Sequence, residues 1–208
     1  METNSYIPFV LLEGMDLSGK STMLTGLKKL LPDWKTTHVG LSDDKTMYAL
    51  AHKMNRSDTT WSKEEIGYLY TAGLTIEIES FTWPTNPTLQ DSCMLLRALA
   101  HHTAYGSKNV IPKLEELAER HPKFSEAFVF TASITERIKR LQIRELENPK
   151  NVNDTDRFVI TNPDMFAKMD QAIIYYAKKY FQAEVIDTGT MTVKETLELL
   201  QKKEFTKQ

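Results

Sequence analysis

The chain has 208 residues, with 26 Lys and Arg against 28 Asp and Glu, a formal net charge of −2, and it is 41% hydrophobic and 26% charged. That make-up is ordinary for a globular protein and excludes a collagen, a low-complexity chain and a disordered one. The near-neutral balance gives no chain-wide case for nucleic acid or an anionic membrane as partner.

The apolar block at residues 9–12 is too short for a signal-peptide core or a membrane span. The lone Cys93 cannot form an internal disulfide, which points to a reducing compartment and a cytoplasmic protein. From the start of the chain, residues 9–13 read as a buried strand, 14–21 as a turn, and 21–30 as a helix stopped by Pro32. Residues 36–40 are a weaker strand candidate and 45–55 look helical. Ser62 and Glu65 form a capping box that opens a helix running to about Phe81. A short strand is expected at 88–91, then helices at 93–102 and 110–121. Residues 127–132 are the second clear buried strand, followed by a second capping box at Ser133 and Glu136. The polar stretch 148–156 reads as a mobile loop. A helix at 165–181 carries Phe166, Met169, Ile173, Tyr176 and Tyr180 on one face. A last strand at 184–187 and a third capping box, Thr192 with Glu195, lead into the final helix.

Short strands alternating with longer helices predict βαβ units and a parallel sheet covered on both faces. Ligands then bind beyond the carboxyl ends of the strands. The sequence Gly14-Met15-Asp16-Leu17-Ser18-Gly19-Lys20-Ser21, placed between a strand and a helix, satisfies G-x-x-x-x-G-K-[ST]. Its glycines allow the backbone to wrap a polyphosphate, and the helix that follows turns its free N–H groups toward the same oxygens. Lys20 can neutralise phosphate charge, and Ser21 can ligate Mg²⁺. The bland alternative is a Gly-rich turn with a solvated lysine. No N-K-x-D guanine motif accompanies the loop, and no long apolar strand ends in Asp-Glu, so GTPases and helicase-type ATPases fit less well than kinases.

The run FVLLEGMDLSGKST, residues 9–22, resembles the thymidylate kinase family of nucleoside monophosphate kinases, through Glu13, Gly14, Asp16, Gly19, Lys20, Ser21 and Thr22. Weaker likeness covers most of the chain. It includes Tyr70 within Leu69-Tyr70-Thr71-Ala72, Asp91 after the third strand, the segment 127–140, Asp156-Arg157 and Ile186-Asp187. The resemblance implies an α/β fold, a doubly wound parallel five-stranded sheet forming one domain over residues 1–208, with a lid at about 148–157. It implies ATP as donor with Mg²⁺, and it suggests a homodimer. Its donor contacts would be Gly14, Asp16, Ser18, Gly19, Lys20, Ser21 and Thr22, with Arg137 or Arg140 near the adenine or the lid and Asp187 to Gly189 approaching the adenine. Lys20 and Arg157 would hold the transferring phosphate, and Asp91 and Ser21 would serve the metal.

The acceptor side departs from the family. Ser92 and Cys93 stand in place of the Arg and aromatic that follow the strand-end Asp, and Leu74 stands in place of an Arg on the long helix. Either Arg97, in the next helix, supplies the missing charge, or the acceptor carries no phosphate there. A phosphate acceptor needs no general base, whereas a hydroxyl acceptor benefits from a carboxylate, and Asp16 and Asp91 are the candidates. The expected function is thus ATP-dependent phosphoryl transfer to a small molecule near Tyr70, Leu74, Ser92 and Arg97, either a nucleotide of altered specificity or a hydroxyl of a nucleoside-like metabolite, with thymidine monophosphate a poor acceptor and neither nucleic acid nor membrane as partner. The rival reading is a nucleotide-binding protein without catalysis that acts through partners. His101, His102, Cys93 and the tryptophans fit structural roles better than chemical ones.

Overall fold

The structure, a computed structural model, describes residues 7–41, 46–56 and 61–203. Five strands form one parallel sheet: β1 (Phe9–Glu13), β2 (Lys35–His38), β3 (Thr88–Asp91), β4 (Glu126–Thr131) and β5 (Glu184–Asp187). Their order is β2-β3-β1-β4-β5. From β1 the chain winds first toward β3 and β2, then returns to add β4 and β5 on the other side. The reversal opens a crevice above the end of β1, where Leu12 pairs with Asp91 and Glu13 with Val129.

The central strands β1 and β4 are apolar on both faces because helices cover both. Phe9, Leu11, Ala127 and Val129 face one layer, formed by α4 (Met94–Tyr105), α5 (Ile111–Arg120) and α8 (Pro163–Phe181). Val10, Leu12, Phe128 and Phe130 face α1 (Lys20–Leu30) and α9 (Val193–Lys202). This split follows the two-residue period of a strand. Phe166, Met169, Ile173, Tyr176 and Tyr180 are all buried on α8. Among the described residues no helix is long and apolar enough to cross a membrane.

The remaining helices are α2 (Thr46–Arg56), α3 (Lys63–Glu79), α6 (Ile134–Glu147) and α7 (Asp154–Thr161). Of the three expected reciprocal caps, those at α3 and α9 form. At α6 the box is only half made. Ser133 accepts from the Glu136 amide, but the Glu136 carboxylate turns to Arg140 Nε at 3.1 Å. Phe81 lies past the end of α3 and stacks on Phe9, ring centroids 6.0 Å apart.

The expected loop at 148–156 is a correction. A 3-10 turn (Pro149–Asn151) is followed by α7, which Asn153 and Asp156 cap reciprocally. The polar residues that suggested a loop satisfy the free N–H groups at a helix start. Leu74 is a second correction. Expected beside the acceptor, it is fully buried in the hydrophobic core under α3. Leu74→Ala is expected to destabilise the fold by about 2–5 kcal/mol, as for other large-to-small core changes, measured by urea unfolding.

Candidate functional site

After β1 the chain turns through Gly14, whose φ of 148° brings the loop against β4. A Cβ there would sit 2.4 Å from the Phe130 carbonyl oxygen, so only glycine fits. A loop that aims its N–H groups at an anion must aim its carbonyls outward, and those carbonyls need donors. Here each one has a partner. Arg97 donates to Gly14 O at 2.6 Å, the Ser18 amide to Met15 O at 3.2 Å, Arg137 to Asp16 O at 2.8 Å, Arg140 to Leu17 O at 3.0 Å and the Thr188 hydroxyl to Ser18 O at 2.7 Å.

Inside the loop a cavity is lined by residues 14–22 together with Arg144 and Asp156. Ser18 Oγ is buried in it without a hydrogen-bond partner. That orphan oxygen, the glycine cradle and the start of α1 fit a bound polyphosphate. Lys20 Nζ is ion-paired with Asp91, whose other oxygen accepts from His38 Nδ1 at 2.8 Å. The structure thus brings Lys20 and Asp91 together at the rim. Asp16 stands half-buried in the cavity wall, and Ser21 and Thr22 are exposed at its mouth. Among the described residues no group of three His, Cys, Asp or Glu side chains is placed to hold a metal. A Mg²⁺ ion here would rely on the Ser21 hydroxyl and phosphate oxygens, as that ion commonly does. Leu17, Val39 and Ser92 adopt φ of 63°, 66° and 71° although none is glycine, and each follows one of the three strands β1, β2 and β3.

A second cavity continues past Gly19, between Arg140, Arg144, Thr188, Gly189 and Met191. Arg140 spans it, also donating to Thr188 O at 2.8 Å, and Asp187 holds the Gly189 amide at 2.8 Å. Two arginines are placed otherwise than expected. Of Arg137 and Arg140, expected near the adenine or the lid, Arg140 lines this cavity and Arg137 is fully buried beneath the loop. Arg157 lies in an exposed pair with Glu145 at 3.2 Å, outside the cavity, because the capped start of α7 turns it to solvent. The guanidinium over the loop is that of Arg144, paired with buried Asp156 at 2.6 Å. No motif in the sequence singles out Arg144. Its signal was the 137–140–144 spacing, which puts these three arginines along one side of α6.

A third cavity, of about 210 Å³, meets the loop at Met15 and is walled by Tyr70, Met94, Arg97, His101, His102, Met169 and Ile173. Tyr70 stacks on Tyr48, centroids 6.0 Å apart. Arg97 is held by Glu13 at 2.8 Å and reaches Ser92 Oγ at 3.3 Å. Glu13 is fully buried and also accepts from the Gly14 and Cys93 amides, at 2.8 and 2.7 Å. Burial presses the Arg97 charge down, but Glu13 with Asp16 and Asp91 overcomes it, and the guanidinium stays above its ordinary value. Cys93 is buried, and desolvation pushes its thiol up to about 12, so it is no nucleophile.

No family model matches the chain, and no curated protein matches it. Among solved structures 307 chains match. One is thymidylate kinase from Candida albicans, an enzyme described as having broad substrate specificity. It superposes with a TM-score of 0.65 at 16% identity, over 94% of this chain and 90% of that one. The chain therefore has the fold of a thymidylate kinase.

Desolvation lowers the histidines of this layer, His101, His102 and His121, each to about 4. The folded state then binds fewer protons than the unfolded state between the unperturbed value of about 6.5 and about 4. Stability is expected to be full above that window and to fall as pH drops through it. Melting temperatures from pH 7.5 to 4.5 check this, and His121→Gln is expected to flatten the slope.

Proposed function

We propose that the chain is an ATP- and Mg²⁺-dependent phosphotransferase whose acceptor is a hydroxyl on a small, neutral, nucleoside-like molecule. The commitment of Arg97 carries the reading. It is the guanidinium of the acceptor-side cavity, and it is already neutralised by fully buried Glu13. Leu74 is closed into the core and Ser92 bears no charge, so a dianionic acceptor phosphate would meet a pair with no net charge. Such a phosphate would be poorly compensated in a partly desolvated cleft. The apolar walls and the ring of Tyr70 favour an uncharged aromatic body instead.

The donor side rests on the loop and the fold. Bound Mg·ATP supplies the transferable phosphoryl group. The loop N–H groups, Ser18 and Arg144 hold its phosphates, and the cavity at Arg140 and Gly189 takes its base. Lys20 neutralises charge on the transferred group, the kind of fixed stabilisation that dominates phosphoryl transfer. Asp91 is the proposed proton acceptor from the attacking hydroxyl, with Lys20 and His38 orienting its two oxygens, and Asp16 borders the same space.

The test is a panel of paired acceptors with and without a phosphate, thymidine and thymidine monophosphate among them, read by ADP formation. Turnover is expected with one or more of the phosphate-free members and poor turnover with thymidine monophosphate. Efficient phosphorylation of the monophosphate would show that Arg97 leaves Glu13 for the acceptor. Tight ATP binding without any turnover would favour a nucleotide-binding protein that acts through partners. In the active pair Lys20→Ala is expected to lower turnover by ~10²–10³ with folding unchanged. Asp91→Asn is expected to abolish transfer to a hydroxyl while ATP still binds, as calorimetry would show.

A further inference from the structure

Beneath the phosphate loop lies a polar cluster that the reaction as proposed does not use. Arg137 is the largest fully buried side chain among the described residues. Its three nitrogens are all engaged: Nε donates to Ala132 O at 2.9 Å, one terminal nitrogen to Asp16 O at 2.8 Å, and the other to Thr131 Oγ1 at 3.0 Å and Asp170 Oδ1 at 2.8 Å. The Thr131 hydroxyl closes the ring by donating to Asp170 Oδ2 at 2.9 Å. The guanidinium also lies over the Phe166 ring, 5.0 Å from its centroid. Phe166 and Asp170 are one turn apart on α8, so a single helix supplies both the carboxylate and the aromatic face.

The neighbours of Asp170 on that helix give the cluster its meaning. Met169 and Ile173, one before and three after it, wall the acceptor-side cavity. The helix that would hold the acceptor is thus bonded, through one buried guanidinium, to the carbonyl of Asp16 in the loop that would hold the donor. A buried pair of this kind is a poor source of stability, because desolvation offsets its attraction. Its geometry, with a planar fork bridging three elements, serves placement instead.

We propose that Arg137 and Asp170 are positioning residues that set the phosphate loop against α8 and so against the acceptor cavity. The proposal rests on the kinase reading for its purpose, but not for its test. In Arg137→Met the Asp16 carbonyl loses its donor and the loop loosens. The Gly14 and Ser18 amides, now hydrogen-bonded to Glu13 and Met15 O, report this directly. Their hydrogen exchange, followed by NMR without nucleotide, is expected to quicken about tenfold or more, the scale of one hydrogen bond to a charged group, while the amides of β1 and β4 keep their protection. Arg137→Lys, which restores the charge but not the fork, is expected to fall between. The double change Arg137→Met with Asp170→Leu removes both charges, so it is expected to stay folded and still show the loosened loop. Calorimetry with Mg·ATP is expected to show binding weakened by about tenfold in each loosened variant.

Wild-type exchange at Gly14 and Ser18 in all three variants would overturn the proposal. So would a uniform rise across β1 and β4, which would make the pair a folding element only. Failure of the wild-type protein to bind Mg·ATP would instead defeat the kinase reading and leave the exchange result to decide this one.

Discussion

A backbone that presents its N–H groups to an anion must find donors for the carbonyls it turns away, and much of this structure follows from that need. The carbonyls of Gly14, Asp16, Leu17 and Ser18 are met by Arg97, Arg137, Arg140 and Thr188, which come from α4, from α6 twice, and from the segment after β5. The loop is held from every side by elements remote in sequence. Its shape therefore depends on the whole doubly wound sheet being assembled, not on its own glycines alone. A buried carbonyl without a donor would cost as much as a lost hydrogen bond.

Arginines used in this way bring charge into the interior, and the charge must be met there. Glu13 answers Arg97, Asp170 answers Arg137 and Glu136 answers Arg140. The carboxylates near the loop are thus largely committed before any ligand is considered. Lys20 differs in pairing with Asp91 alone, whereas each of these arginines also holds a loop carbonyl, so an incoming anion can compete for Lys20 without unseating the loop. This division between framework cations and an exchangeable one separates scaffold from chemistry more clearly than residue type does.

The strands and the phosphate loop were legible in the sequence because they depend on local order: two glycines at fixed spacing, a lysine, an apolar run before and a helical period after. The unbroken apolar runs of β1 and β4 also mark a sheet covered on both faces. The arginines were not legible in the same way. On an amphipathic helix a cation reads as solvated or functional. Whether Arg137 turns inward depends on how closely β4 brings α6 to the loop, and no local pattern records that. Leu74 and Arg157 were misplaced by matching positions to a family pattern without knowing which face of α3 or α7 they occupy. The polarity of 153–156 looks like looseness in sequence, because the same side chains that suit a loop cap the start of α7. Glu13, a charge closing an apolar strand, was noticed only as part of a motif. Its burial and its three partners are tertiary facts.

Leu17, Val39 and Ser92 hold left-handed backbone angles at the ends of the first three strands. Each such residue costs on the order of 1–3 kcal/mol, and the cost is greatest for a β-branched side chain such as Val39. Leu17 is part of the core and buried Ser92 is bonded to Arg97, so half-buried Val39 is the position of the three where a change to glycine or asparagine would raise stability without repacking the core. In laboratory evolution toward thermostability, substitutions should accumulate here early, and loss of whatever the crevice does should accompany them.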